Sequence, residues 1–363
     1  MECSEKLIWK TKTKNELEQI RIEPPEERIR KRVQENWDSI AKPLDGMGRF
    51  EKQIAQIGAI TRTENIVLAK KAVLMFCADN GIVEEGISQS GQEVTTAVAY
   101  SMGKGQSSVC RMAKVAGADT IPIDIGINSI EEIPGVLKRK IRKGTRNFRK
   151  EPALTEQETI QGIATGIELV RQCRLDGYDI LATGEMGIGN TTTSSAVTAA
   201  LLHQPAKYVT GRGAGLNDAG LQRKRQMIAE AIEKYDLYHA DALTILMSVG
   251  GLDLAGLAGM CIGGALYQIP IVLDGVISMA AALLAERLVP GTKEYLLPSH
   301  KGKEPAAALL AEALRMEPVI DGELALGEGT GAVMMFSLLD LAVSIYQAGT
   351  TFSEIQVEQY TRF

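Results

Sequence analysis

Histidine is scarce in this sequence, aromatic residues are few, and no two cysteines are spaced to act together. The 363-residue chain holds three histidines, His203, His239 and His300, which share no metal-ligand spacing. That argues against a histidine-based metal centre and against a Ser-His-Asp triad. The five cysteines, Cys3, Cys77, Cys110, Cys173 and Cys261, are odd in number and contain no C-x-x-C pair. A disulfide framework and a zinc-thiolate site are both disfavoured on that count. An excess of basic charge is missing too, with Lys plus Arg at 40, Asp plus Glu at 45 and a net charge of −5. Non-specific nucleic-acid binding needs a basic surface, so nucleic acid is not an expected partner. The most apolar stretch, 254–286, is broken by Tyr267, Gln268, Pro270 and Asp274. This favours buried helix, turn, strand and helix over a membrane span. The first 32 residues are charged throughout and lack an apolar core segment. No signal peptide is expected, and the expected compartment is the cytoplasm.

Glycine is plentiful at 36, and hydrophobic residues make up 45% of an ordinary globular composition. The apolar run Ala72–Ala78 ends in Asp-Asn-Gly, as a buried parallel strand ends in a polar turn. The pattern recurs at Asp119–Asn128, at Tyr178–Thr192 and at Ile269–Glu286, the last two continuing into helices. Helices fit at Gln92–Ala116, Glu156–Gly177, Leu221–Tyr235, Leu252–Tyr267 and Gly331–Tyr346, and the first 70 residues read as polar and helical. Alternating strands and helices predict an α/β fold, a mostly parallel sheet with helices on both faces. Ligands of such sheets bind beyond the carboxyl ends of the strands, where the Asp and Gly clusters fall here.

Several of these clusters can carry chemistry. In GEMGIGNTT, Gly184, Gly187 and Gly189 let the backbone approach a ligand, and Asn190, Thr191 and Thr192 open a helix. Free N–H groups, hydroxyls and the positive end of a helix dipole suit a phosphate monoester. The same residues also make a plain capped strand-to-helix turn. Glu185 inside that turn needs a reason, because a carboxylate repels phosphate. In LGEGTGA, Glu328 sits between Gly327 and Gly329, either as an unshielded general base or as an exposed loop residue before a Thr330 cap. Lys224 follows the glycine loop at 211–215, as a phosphate partner or as a solvated helix lysine. Asp79 and Asp274 each end a strand, as substrate contacts or turn caps, and the Gly250–Gly251 pair suits close helix packing. His300 follows a proline turn and reads as structural.

Taken in order, the segments AKPLDGMGRFE, CADNGIVEEGIS, GEMGIGNTTTSSA, VGGLDLAGLAG, LDGVISMAAALLA, LLPSHKGKEPAAALL and LGEGTGAV resemble the nicotinate-nucleotide:dimethylbenzimidazole phosphoribosyltransferase family of cobalamin assembly. The resemblance runs from Lys42 to Ala332. It implies a Rossmann-like large domain at 71–331 and a small helical domain built from both chain ends, 1–70 and 332–363, in a homodimer. The implied reaction moves 5-phosphoribose from nicotinate mononucleotide to 5,6-dimethylbenzimidazole and needs neither cofactor nor metal. It makes Glu328 the base and Glu185 a second catalytic residue. It puts phosphate and ribose on Gly184, Gly187, Ile188, Gly189, Asn190, Thr191, Thr192 and Lys224. It puts the aromatic base on Asp79, Ser90, Val98, Leu326 and Gly327. The sequence departs from the family pattern at Asn80, where a histidine is expected, and at Val98, where a glutamine is. It departs again at Ala306–Ala308, where a second histidine is absent. A related enzyme with another base or a phenolic acceptor, and a non-catalytic nucleotide-binding subunit, are the competing readings.

Overall fold

The computed structural model describes residues 13–362, so Cys3 and the first dozen residues of the N-terminal segment lie outside the description. Six strands form one sheet: β1 (Lys71–Ala78), β2 (Ala118–Gly126), β3 (Leu137–Lys138), β4 (Ile180–Met186), β5 (Ile271–Leu273) and β6 (Leu296–Pro298). Their order is β3-β2-β1-β4-β5-β6, and every pairing is parallel. This is the Rossmann strand order, with its reversal between β1 and β4.

β1 shows why the strand reads as one unbroken apolar run. All eight of its residues are buried, because both of its faces are covered. Ala72, Leu74, Phe76 and Ala78 join one hydrophobic cluster with the Glu156–Leu175 and Leu252–Tyr267 helices. Val73, Met75 and Cys77 join a second, with the Arg49–Thr61 and Thr330–Ala348 helices. Side chains alternate across a strand, so one eight-residue segment feeds two cores.

The first core depends on a contact between backbones. The Leu252–Tyr267 helix is buried from Leu252 through Ala265. A Cβ on Gly166 would lie 2.1 Å from the Gly256 carbonyl oxygen, and one on Gly259 would lie 1.9 Å from that of Ile163. Glycines 166, 256 and 259 therefore make the close packing, rather than the Gly250–Gly251 pair. Those two end one helix at Val249 and begin the next at Leu252.

In the second core, Val33 and Trp37 of the Glu27–Ser39 helix and Ile54 and Ile57 meet Phe336 and Leu339. Residues from both chain ends thus pack together against the sheet. A bridge between Ile40 and Thr351, and Arg362 paired with Asp38 and Asp45, add to this junction. The 331/332 boundary drawn from the sequence falls in the first turn of the Thr330–Ala348 helix. That helix is long and apolar enough to cross a membrane by composition alone, but Ala332, Met335, Phe336 and Leu339 are fully buried against the sheet.

One expected element is two. The predicted Gln92–Ala116 helix is split into Glu93–Gly103 and Ser108–Val115. Gly105 takes a left-handed φ of 69° between them, a conformation that ends a helix. Strands β3 and β6, of two and three residues, are too short to show a period of two.

The glycine contact gives a testable stability effect. Gly259→Ala gains ~1 kcal/mol of helix propensity, but its methyl group overlaps a carbonyl oxygen. Overpacking costs about 1–3 kcal/mol, and more where a backbone has to move. Urea unfolding should show a lower midpoint with an unchanged slope. A raised midpoint would mean that the helices separate freely.

Candidate active site

The loops that follow β1 and β4 leave the sheet in opposite directions, which opens a crevice at the carboxyl edge. A cavity of about 270 Å³ lies beside it, over the carboxyl ends of β4, β5 and β6. Its walls come from the turn after β4, from Gly213 and Ala214, from residues 274–278 after β5, from His300 and 302–304 after β6, and from 324–328.

The turn after β4 is squeezed against the end of β1. A Cβ on Gly187 would lie 2.1 Å from the Ala78 carbonyl oxygen, so only glycine fits there. Gly189, at φ 96°, then starts the Asn190–Leu201 helix without a side-chain cap. The N–H groups of Asn190, Thr192 and Thr193 already donate to the Gly187 and Gly189 carbonyls, which leaves that of Thr191 at the positive end of the helix dipole, a setting that favours an anion. Ile188 is held from behind by its N–H, which donates to Thr95 Oγ1 at 3.1 Å.

Lys224 stands one layer back. It is fully buried on the Asp218–Lys234 helix, and its Nζ donates to Thr191 Oγ1 at 2.8 Å. Burial pulls its pKa down to about 8, against a weaker pull upward from Glu304. Glu304 in turn accepts the Gly213 N–H at 3.1 Å, which closes the 211–215 loop over the site. The lysine that reaches the cavity wall is Lys303.

Two carboxyls face each other at the other end. Glu185 is buried, and burial first, then the charges of Asp253, Asp274 and Glu328, push its pKa up to about 8. Asn190 Nδ2 and the Glu328 backbone N–H donate to it. It is therefore held toward its neutral form near pH 7, in which it would not repel an anion. Glu328 is half-buried, and its pKa is raised chiefly by desolvation. Its Oε2 accepts the Val109 N–H at 3.3 Å, in the first turn of the Ser108–Val115 helix. The break at 104–107 creates that helix end, so the misread helix is part of the site. Glu328 has φ 61° between Gly327 at 82° and Gly329 at 96°. Three left-handed residues in a row, one of them a glutamate, make a strained loop.

Of the residues expected from the sequence, Glu185, Gly187, Ile188, Asn190, Thr191, Leu326, Gly327 and Glu328 line the cavity. Gly189 lines a smaller hollow on the far side of the turn with Ser88 and Arg212. Gly184 lies beneath, where a Cβ would come 2.5 Å from the Glu328 carbonyl oxygen. Thr192 is fully buried, its hydroxyl without a partner. Asp79 is also fully buried: Oδ2 accepts the Asn128 N–H at 2.7 Å, tying β1 to the loop after β2. Asn80 donates to Asp253 at 3.3 Å. Neither Ser90 nor Val98 is on the cavity wall. Val98 turns its side chain into the second core, and the Ser90 N–H donates to the Ser88 hydroxyl. The sequence leaves Asp274 open between substrate contact and turn cap, reads His300 as structural, and carries no signal for Ser278, Lys303 or Glu304. The signal for Asp274 was its place after an apolar run. His300 and Glu304 follow a strand too short to detect.

Residues 22–357 match a family model described as phosphoribosyltransferase. The chain is 44% identical over 328 residues to the nicotinate-nucleotide–dimethylbenzimidazole phosphoribosyltransferase of Acetivibrio thermocellus, covering 90% of this chain and 93% of the relative. It is 40% identical over 346 residues to the protein of the same name from Ruminiclostridium cellulolyticum, covering 95% and 97%. A crystal structure of the enzyme so named from Thermus thermophilus superposes with a TM-score of 0.86 at 35% identity, over 92% of this chain and 100% of that one.

The buried lysine sets a pH-dependent stability. The folded-state pKa of Lys224 lies below its ordinary 10.5. The folded chain therefore binds fewer protons than the unfolded chain between about pH 8 and 10.5, and this group makes stability rise with pH across that window. Lys224→Met removes the cost of holding a charge in the interior and should stabilise the protein at pH 7 by about 1–3 kcal/mol. In urea unfolding the gain should shrink at pH 10, where the native lysine is neutral. A variant less stable than the parent at pH 7 would contradict this account.

Proposed function

The chain belongs to that phosphoribosyltransferase family, and on this premise we propose that it moves 5-phosphoribose from nicotinate mononucleotide to 5,6-dimethylbenzimidazole. The products are nicotinate and α-ribazole 5′-phosphate, the nucleotide of cobalamin assembly. The observation that carries the reading is one cavity with a helix N-terminus that has no side-chain cap at one end and two desolvated carboxyls, both with raised pKa, at the other.

The donor phosphate lies at the positive end of the Asn190–Leu201 helix, on the Thr191 N–H and hydroxyl, with Thr191 held in place by Lys224 and with Lys303 at the rim. The C1′–nitrogen bond breaks with its electron pair passing to the pyridinium nitrogen. Nicotinate therefore leaves without being protonated. A benzimidazole nitrogen attacks C1′ from the opposite face, which converts the β-nucleotide into the α-nucleotide. The proton on its other nitrogen passes to Glu328. The ionised Glu328 also stabilises positive charge developing on the ribose. Glu185 stays largely neutral beside the phosphate and braces the turn through Asn190. Leu324 and Leu326 give the acceptor an apolar wall. A non-catalytic binding subunit would have no use for a strained, desolvated carboxylate.

The reading extends to a homodimer in the cytoplasm. The four described cysteines are buried free thiols, which suits a reducing compartment. An apolar groove of about 530 Å³ lies between the Ser108–Val115 and Thr330–Ala348 helices. Val115 beside it is 88% exposed and Met334 38%, a surface of the kind that pairs subunits. Sedimentation velocity should find a dimer, and Met334→Glu should yield monomer. A parent chain sedimenting as monomer at micromolar concentration would remove this part of the proposal.

Glu328→Gln keeps the shape of the base and removes its basicity. Positioned general-base catalysis contributes about 10²–10⁴ in rate. kcat should fall by that factor with the KM for the mononucleotide nearly unchanged, followed by mass spectrometry of α-ribazole phosphate. In the parent enzyme kcat/KM should fall on the acid side at a pH above the ordinary glutamate range, because desolvation raises the Glu328 pKa. Turnover within about threefold of the parent would take the base away from Glu328. Nicotinate riboside, which lacks the phosphate, should be a far poorer donor. Equal rates for riboside and mononucleotide would displace the phosphate from the turn.

A further inference from the structure

The loop that carries Glu328 is left-handed at three consecutive residues, and such a loop keeps its shape only where its surroundings over-determine it. The helix that follows, Thr330–Ala348, has Gly329 as its N-cap and no side-chain cap of its own. Its first N–H groups are nonetheless satisfied, by a side chain from another part of the sheet. Asp274, 3% exposed at the carboxyl end of β5, accepts the Gly329 N–H on Oδ2 at 3.2 Å. On Oδ1 it accepts those of Gly331 at 2.8 Å and Ala332 at 3.2 Å. Asp274 is itself anchored, its own N–H donating to Thr183 Oγ1 on β4 at 2.9 Å. The Thr183 hydroxyl also pairs with Ser278 Oγ at 2.9 Å. On the near side of the loop, the Glu328 N–H donates to Glu185.

We propose that Asp274 is the positioning residue of this enzyme: by holding three N–H groups of the 329–332 segment it fixes the left-handed loop and keeps the Glu328 carboxylate at the N-terminus of the Ser108–Val115 helix. The proposal rests on the reading of Glu328 as the base. Asp274 acts through Glu328 and does not touch the reacting atoms.

Its charge also matters. Glu328 is faced by Glu185 from β4, by Asp274 from the end of β5, and by the Ser107 hydroxyl and the Val109 N–H. His300, after β6, lies with Nδ1 4.0 Å from Asp274 Oδ1, and Asp253 stands behind Glu185. Asp274 raises the pKa of both Glu185 and Glu328. Replacing it with a neutral side chain should lower both.

The experiment compares Asp274→Asn, Glu328→Gln and the double variant in the mononucleotide-to-benzimidazole assay. Asparagine keeps one acceptor oxygen and turns an NH₂ toward a loop N–H, so the loop loosens while the packing stays. Misplacing a catalytic group by about 1 Å costs about a hundredfold, so kcat should fall about ten- to a hundredfold in Asp274→Asn. The mononucleotide KM should stay within about threefold, and the acid limb of kcat/KM should move to lower pH. In the Glu328→Gln background the same change should cost less than about threefold, because the group it positions is already disabled. A merely structural role would reduce both backgrounds alike and leave the pH profile where it was, and that result would overturn the proposal. So would an Asp274→Asn enzyme with unchanged kcat. A fast Glu328→Gln enzyme would instead overturn the reading of the base. If Asp274→Asn does not fold, Thr183→Val decides. It removes the anchor of Asp274, and it should lower kcat in the parent background only, while equal losses in both backgrounds would refute the proposal.

Discussion

Four carboxyl groups share the desolvated end of this sheet, and they cannot all be ionised at once. Glu185, Asp253, Asp274 and Glu328 come from β4, from the first turn of a buried helix, from the end of β5 and from a glycine loop. Burial raises all four. Like charges in a poorly hydrated volume settle the conflict by keeping protons. Asp274 carries the most backbone donors, and an adjacent histidine also favours its charge. Glu185, with one backbone donor and the charges of three neighbouring carboxyls against it, rises to about 8. Crowding thus separates the carboxyls: Asp274 holds the loop, Glu185 is driven toward its neutral form, and Glu328 keeps the most solvent access of the four, as the proposed base requires.

The anion end of the site follows a different rule. As proposed, it relies on a helix dipole and the Thr191 N–H more than on formal charges, and both are in place before a ligand arrives. That explains the glycines. Gly187 permits the turn to touch the end of β1, and Gly189 supplies the left-handed residue that begins the helix. Such groups need no side-chain ordering on binding, and the N–H donors keep their polarity at any pH. The buried lysine behind Thr191 is a costly addition to this economy, tolerated because it fixes the orientation of a hydroxyl.

The strand that organises the fold was legible in the sequence because both of its faces are buried. Ala72–Ala78 leaves no polar gap to misread. The Leu252–Tyr267 helix was legible for the same reason, and the Gly184–Thr192 turn because glycine spacing is a local property. What could not be read depends on contacts distant in sequence. The pattern at 92–116 is helical on both sides of Gly105, and only the packed structure shows that the chain turns there. Lys224 lies on an amphipathic helix, and its complete burial depends on where that helix meets Thr191. Val98 is assigned to the aromatic base by register across a loop, and the structure places it half-buried on the Glu93–Gly103 helix against the second core, away from the cavity wall. Asp274 reads as a turn residue until the segment beginning 55 residues later folds back onto it.

That last contact imposes an order on how the site is completed. The phosphate turn, the buried lysine and the anchoring aspartate all precede Glu328 in the chain, and the helix after it docks against Val33, Trp37 and Ile57, which are made first. A chain emerging from the ribosome therefore possesses the turn after β4, its buried lysine and Asp274 before it possesses Glu328. The Glu328 loop is held in its final place only when the helix after it packs against segments synthesised at the outset, so this corner of the cavity is the last to be framed.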